Sequence, residues 1–138
     1  MLNDVQPQKI NVMTKIRKFE DLDIWKDAVA VGVEIYKLTS RGRLAKDFSS
    51  RDQLRRASIS ISNNIAEGFE YNNNRHFIKF LGYAKGSAGE LRSNLFVLKE
   101  AEVVETNDHD RLRDRLIVLS QNIKGFVKYL TDFESKKA

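Results

Sequence analysis

Two stretches of this chain repeat one spacing, and that spacing decides most of what it can fold into. Phe77, Leu81, Ala84, Ala88, Leu91, Leu95 and Leu98 follow one another at intervals of 4-3-4-3-4-3. Leu112, Leu116, Leu119, Ile123, Phe126, Leu130 and Phe133 do the same. A 4-3 alternation keeps an apolar seam on one face of a helix along its whole length. Two matched seams of this length call for near-parallel, left-handed packing of the helices that carry them. They predict helices over residues 75–102 and 111–133, with Asn73 or Asn74 capping the first and Asn107 or Asp108 the second.

Two more segments have helical periodicity. Over residues 22–39, Leu22, Trp25, Val29, Val33 and Tyr36 form one apolar stripe, and Ile24, Ala28, Val31, Ile35 and Leu38 form another. Together they cover an arc of about 200°, where an ordinary surface helix needs about 100°. Over residues 51–67, Leu54, Ala57, Ile61 and Ile65 face inward with Ser58 beside them. Ser50 and Gln53 form a capping box ahead of this helix, and Gly68 offers a C-cap. The only proline is Pro7, and short connections favour antiparallel neighbours. The expected fold class is all-α, an antiparallel up-down four-helix bundle over residues 15–134. Residues 1–14 read as a loose extension, with Met13 as an alternative beginning, and residues 135–138 as a tail.

Several chemistries are excluded by composition. The chain has no cysteine, which removes thiolate metal sites and disulfides and fits a reducing cytoplasm. No apolar run approaches the roughly 18 residues of a membrane span. The residue three before His76 is Asn73, and three before His109 is Thr106, so neither histidine completes the Glu-x-x-His pair of a di-iron bundle. No metal or other cofactor is expected. There is no P-loop and no G-x-S-x-G. Ser58, Ser60, Ser62 and Ser87 lie on helices with no histidine at helical spacing, which makes them packing residues and the chain a non-enzyme. Asn63, Asn64 and Glu67 remain as a polar set. Asn64 lies at the core margin, where a buried amide must find hydrogen-bond partners.

Two features exceed what one bundle needs. The first is the wide apolar arc over residues 22–39. The second is Gly82, Gly86, Gly89 and Ser93, spaced 4-3-4 on one stripe away from the seam. A mid-helix glycine costs about 1 kcal/mol relative to alanine, so three on one stripe suggest a close-approaching backbone. That backbone belongs either to the same bundle or to a second copy. The surplus on the first helix favours the second copy, with Ile24, Val31, Ile35, Gly82, Gly86, Gly89 and Ser93 as the candidate subunit interface.

The net charge is +5. Arg41, Arg43, Lys46, Arg51, Arg55 and Arg56 cluster between the first two helices and are the candidate contacts to RNA or DNA. Glu100, Glu102, Glu105, Asp108 and Asp110 form an acidic segment. In an up-down bundle the two segments share an end, so some of these charges serve the bundle itself. An oligomeric protein-interaction scaffold without nucleic-acid binding is the alternative function.

Three motifs in order carry a resemblance. They are F-E-D-L-x-x-W-x-x-A from Phe19 to Ala28, Q-L-R-R-A-S-I-S-I-S-N-N-I-A-E-G from Gln53 to Gly68, and F-x-x-F-L-x-x-A-x-G-S-x-x-E-L from Phe77 to Leu91. Through them the chain resembles the 23S rRNA intervening-sequence proteins, a bacterial four-helix-bundle family. The family usually has proline where this chain has Ser62, so a helix kink at that point does not follow while the fold does. The resemblance implies a small bundle assembled as a ring-like homopentamer. It also implies kinship with the accessory variability protein of diversity-generating retroelements, a basic bundle that works with a reverse transcriptase and nucleic acid. It supplies no catalytic residues.

Overall fold

In the computed structural model, which describes residues 16–137, the chain forms four long helices. They are α1 (Asp23–Thr39), α2 (Phe48–Glu70), α3 (Asn74–Glu100) and α4 (Thr106–Lys137). Single 3-10 turns at Phe19–Asp21 and Gly42–Ala45 precede α1 and α2. No strand occurs among the described residues. Helix α1 packs on α2, α2 on α3 and α3 on α4, and α4 closes the bundle against α1. The fold is an all-α four-helix bundle. The expected extension over residues 1–14 lies outside the described residues.

The two seams become the core. Phe77, Leu81, Ala84, Ala88, Leu91 and Leu95 are buried on α3, and Leu112, Leu116, Leu119, Ile123 and Leu130 on α4. Leu98 and Phe126 pack at the edge, and Phe133 is exposed. On α2 the buried set is Leu54, Ala57, Ser58, Ile61, Ile65 and Gly68. Ser58 meets its hydrogen-bonding need locally by donating to the Arg55 carbonyl at 2.9 Å. The helix runs unbroken past Ser62, whose hydroxyl donates to the Ile59 carbonyl at 3.1 Å.

The ends of the helices differ from the sequence expectation. Helix α2 begins at Phe48, and its cap is Asp47, whose carboxylate accepts from the Ser50 N–H at 3.2 Å. Asp47 satisfies the same orphan donor as a capping serine and adds a negative charge at the positive end of the helix dipole. Gly68 does not end α2, which continues to Glu70. Asn72 takes the left-handed conformation instead, at φ 53°. The cap of α3 is Asn73, accepting from the His76 N–H at 3.1 Å, as the spacing suggests. At the other end of α3 the Val103 N–H reaches the Leu98 carbonyl at 2.8 Å and the Glu102 N–H reaches Lys99 at 2.9 Å. This is a Schellman ending, with Glu102 in the position glycine usually takes, at φ 62°. Asn107 and Asp108 do not cap α4, because the helix already includes Thr106 and the His109 N–H reaches the Glu105 carbonyl at 3.0 Å. No glycine or proline interrupts residues 134–137, and α4 continues to Lys137 where a tail is expected.

Candidate nucleic-acid and subunit surfaces

The arginine-rich segment sits on the 3-10 turn and the first turns of α2, beside the α3–α4 turn. Most of its cations are engaged within the chain. Arg41 pairs with Asp108 at 3.3 Å, and Arg43 donates to the Glu102 carbonyl at 3.5 Å. Arg51 pairs with Asp52 at 3.0 Å and lies over the Phe48 ring at 4.7 Å. Arg55 donates to the Thr39 hydroxyl at 2.8 Å and the Ser40 hydroxyl at 3.1 Å. Its guanidinium also covers the Tyr36 ring at 4.4 Å. Thr39 in turn donates to the Ile35 carbonyl at 2.7 Å, which closes a chain of hydrogen bonds from α1 to α2. The side chains of Lys46 and Arg56 are exposed and have no partner among the described residues. The acidic segment thus meets the basic one at the end of the bundle where the topology puts both.

The candidate subunit interface splits in two. Ile24, Val31 and Ile35 are core residues, at 7%, 1% and 0% exposure, and do not face a partner. Periodicity cannot say which of two apolar stripes on α1 points inward. The other stripe turns outward only in its second half: Leu22 is buried, but Val33 and Tyr36 are exposed, and with Val29, Gly32, and Ile59 and Ser62 of α2 they line a shallow apolar groove. On α3, Gly82, Gly86, Gly89 and Ser93 are all exposed. A Cβ placed on any of the three glycines would meet nothing within 4 Å. Tight packing inside one bundle therefore does not account for them.

The glycine that does allow close approach is Gly68. A Cβ there would lie 2.7 Å from Phe80 Cβ and 3.1 Å from Phe77 Cδ1. Above it, a polar seam joins α2 to α3. Asn64 Nδ2 donates to the Ser60 carbonyl at 2.7 Å and the Ser60 hydroxyl at 3.0 Å. Ser60 and Ser87 share a hydrogen bond at 2.8 Å. Asn64 thus has the structural role that burial demands, while Asn63 and Glu67 stay exposed along an open groove with Arg56.

Three groups escaped the sequence reading. Glu34 lies between two arginines of α4, accepting from Arg111 Nε at 3.0 Å and pairing with Arg115. His109 is buried, with Nδ1 2.9 Å from an Asp110 carboxylate oxygen. That hydrogen bond holds the Asp110 carboxyl below its ordinary range; burial opposes the shift, and Arg113 and Lys99 reinforce it. Tyr71 stacks on His76 and Phe80 at the α2–α3 turn. The Glu34 clamp and the Tyr71 stack depend on how the chain folds back; the adjacency of His109 and Asp110 and the i,i+4 spacings of Arg111 with Arg115 and of His76 with Phe80 are visible beforehand. Among the described residues no group of three or more His, Cys, Asp or Glu could hold a metal, and no helix is long and apolar enough to cross a membrane.

A model of the family described as 23S rRNA-intervening sequence protein matches residues 20–125. Among solved structures, the fold resembles a crystal structure of a protein of unknown function from the S23 ribosomal protein family of Bacteroides thetaiotaomicron. The TM-score is 0.69 at 21% identity, covering 76% of this chain and 98% of that one. No curated protein matches.

Proposed function

The chain belongs to the 23S rRNA-intervening sequence protein family, and on that premise we propose that it works as a non-enzymatic, homopentameric, nucleic-acid-associated accessory protein. The observation that carries the assembly is the open stripe on α3. Gly82, Gly86 and Gly89 weaken their helix, and no contact within one chain offsets that. A flat stripe of this kind suits the shallow groove of Val29, Val33, Tyr36 and Ile59 on the next copy. Such a head-to-tail contact closes into a ring when the rotation between copies permits. The number five, the accessory role and the reverse-transcriptase partner are taken from the resemblance. The net charge of +5 supports a polyanionic partner.

Native mass spectrometry at micromolar concentration tests the ring. The expected species is a pentamer, and a clean monomer overturns the reading of the α3 stripe. Gly86→Leu should lower the assembled fraction while leaving helix content intact. A salt titration with structured RNA and duplex DNA tests the second half. Binding should weaken steeply as salt rises; no measurable affinity at low salt removes it. The internal ties of Arg41, Arg43, Arg51 and Arg55 favour a second reading, an oligomeric scaffold for a protein partner. That reading is the one left standing if the ring forms and nucleic acid does not bind.

A further inference from the structure

We infer that the α2–α3 turn carries a docking platform for single-stranded nucleic acid, built from Tyr71, His76 and Phe80 with Arg75 and Lys79. The inference rests on the nucleic-acid half of the proposed function but places the contact away from the arginine cluster. The Tyr71 ring lies nearly parallel to His76, with centroids 4.9 Å apart and planes 16° apart. It lies nearly parallel to Phe80 as well, at 5.3 Å and 14°. These rings are not core: Tyr71 is 51% exposed, His76 is exposed and Phe80 is half-buried.

The turn holds the stack in place. Asn72 adopts φ 53° and donates its N–H to the Phe69 carbonyl at 3.1 Å, and the Asn73 side chain caps α3 at His76. The platform is thus preorganised on a helix start and a tight turn.

Charge points to the same partner. Arg75 and Lys79 are exposed, stand one helical turn apart, and directly precede His76 and Phe80 in the sequence; their side chains have no ion pair or hydrogen bond among the described residues. Glu134, the carboxylate that α4 brings to this turn, is occupied by Asn74 at 2.7 Å. Glu67 and Glu70 are the acids in the last turn of α2. Free cations adjacent in sequence to partly exposed, parallel rings suit a backbone phosphate with an adjacent unstacked base. A duplex keeps its base faces covered and cannot use the rings. Stacking on the rings and phosphate contacts to the two free cations should both contribute, so single-strand binding should also weaken as salt rises.

The test uses the full chain, a labelled mixed-sequence single-stranded oligonucleotide, its duplex and fluorescence anisotropy. Single strand should bind more tightly than duplex. Tyr71→Ala should weaken single-strand binding about tenfold, the scale of one lost base–aromatic stack, while Tyr71→Phe retains it. Arg75→Gln with Lys79→Gln should weaken it as well, with unchanged circular dichroism. If nucleic acid binds but none of these variants weakens it, the platform is wrong and the proposed function stands. If the wild-type chain binds no nucleic acid in any form, both fall. If Tyr71→Ala changes the oligomer mass and leaves binding unchanged, the surface is a contact between copies and the inference is overturned.

Discussion

Glu34 of α1 accepts a hydrogen bond from Arg111 of α4 at 3.0 Å, which makes one carboxylate the clamp across the pair of helices that closes the bundle. The same carboxylate pairs with Arg115 one turn further on. Asp108 adds a link by meeting Arg111 at 3.1 Å and Arg41 at 3.3 Å. A lone exposed ion pair contributes at most about 1 kcal/mol. Here the Glu34 side chain is only 20% exposed, so its loss leaves two arginines without their shared partner.

Glu34→Gln should therefore cost more than an ordinary surface substitution, about 1–2 kcal/mol. Chemical denaturation at moderate salt measures it. A change below about 0.5 kcal/mol, the size typical of surface substitutions away from such features, would mean that apolar packing alone joins α1 to α4.

The glycines should separate into two kinds. Gly68→Ala puts a Cβ 2.7 Å from the Cβ of Phe80, which is fixed to the α3 backbone and cannot swing aside. The cost should be about 1–3 kcal/mol, as for other overpacked sites. Gly89→Ala meets nothing within 4 Å and should stabilise the helix by up to about 1 kcal/mol in the dissociated chain. Thermal melts of the two variants, compared below the concentration at which the chain assembles, give opposite signs. Equal effects would contradict the assigned environments.

That contrast marks where the sequence is readable. The seams of α3 and α4 were legible because a 4-3 spacing has one inward solution on a helix. The double stripe of α1 was not: Ile24, Val31 and Ile35 and the alternative set of Val29, Val33 and Tyr36 fit the period equally well. Only the position of α2 chooses between them. Gly68 looks like a helix stop in the sequence because a glycine that ends a helix and one that admits a neighbouring helix are alike in one dimension. The basic and acidic segments were correctly placed together by topology. Which arginine finds which partner depends on angles that the spacing does not contain.

Glu102 offers a stabilising change. It holds φ 62° in the Schellman turn after α3, a conformation that costs an ordinary L residue roughly 1–2 kcal/mol. Its contact to Arg43 is made through its backbone carbonyl, which a substitution preserves. Glycine removes the strain but gives the unfolded chain more freedom to lose. Glu102→Gly should thus raise stability by a net of about 0.5–1 kcal/mol. A lower denaturation midpoint would show that the Glu102 side chain contributes something the backbone geometry does not require.

Asp110 should make part of the acid sensitivity of the fold. Its carboxylate accepts from His109 Nδ1 at 2.9 Å, and that bond, with Arg113 and Lys99 nearby, lowers its folded-state pKa. In the unfolded chain an aspartate titrates near its ordinary value of about 3.9. A group whose pKa is lower when folded stabilises the fold fully above the unfolded value. The contribution fades as pH falls through the folded one, because the unfolded state binds the proton first. Asp110→Asn removes the titrating group and keeps a hydrogen-bond acceptor for His109. The variant should be less stable than wild type at pH 6, and the difference should shrink as the pH is lowered below about 4. Urea midpoints measured across that range for both proteins test this. A difference that stays constant down to acid pH would mean that Asp110 acts through packing and not through its charge.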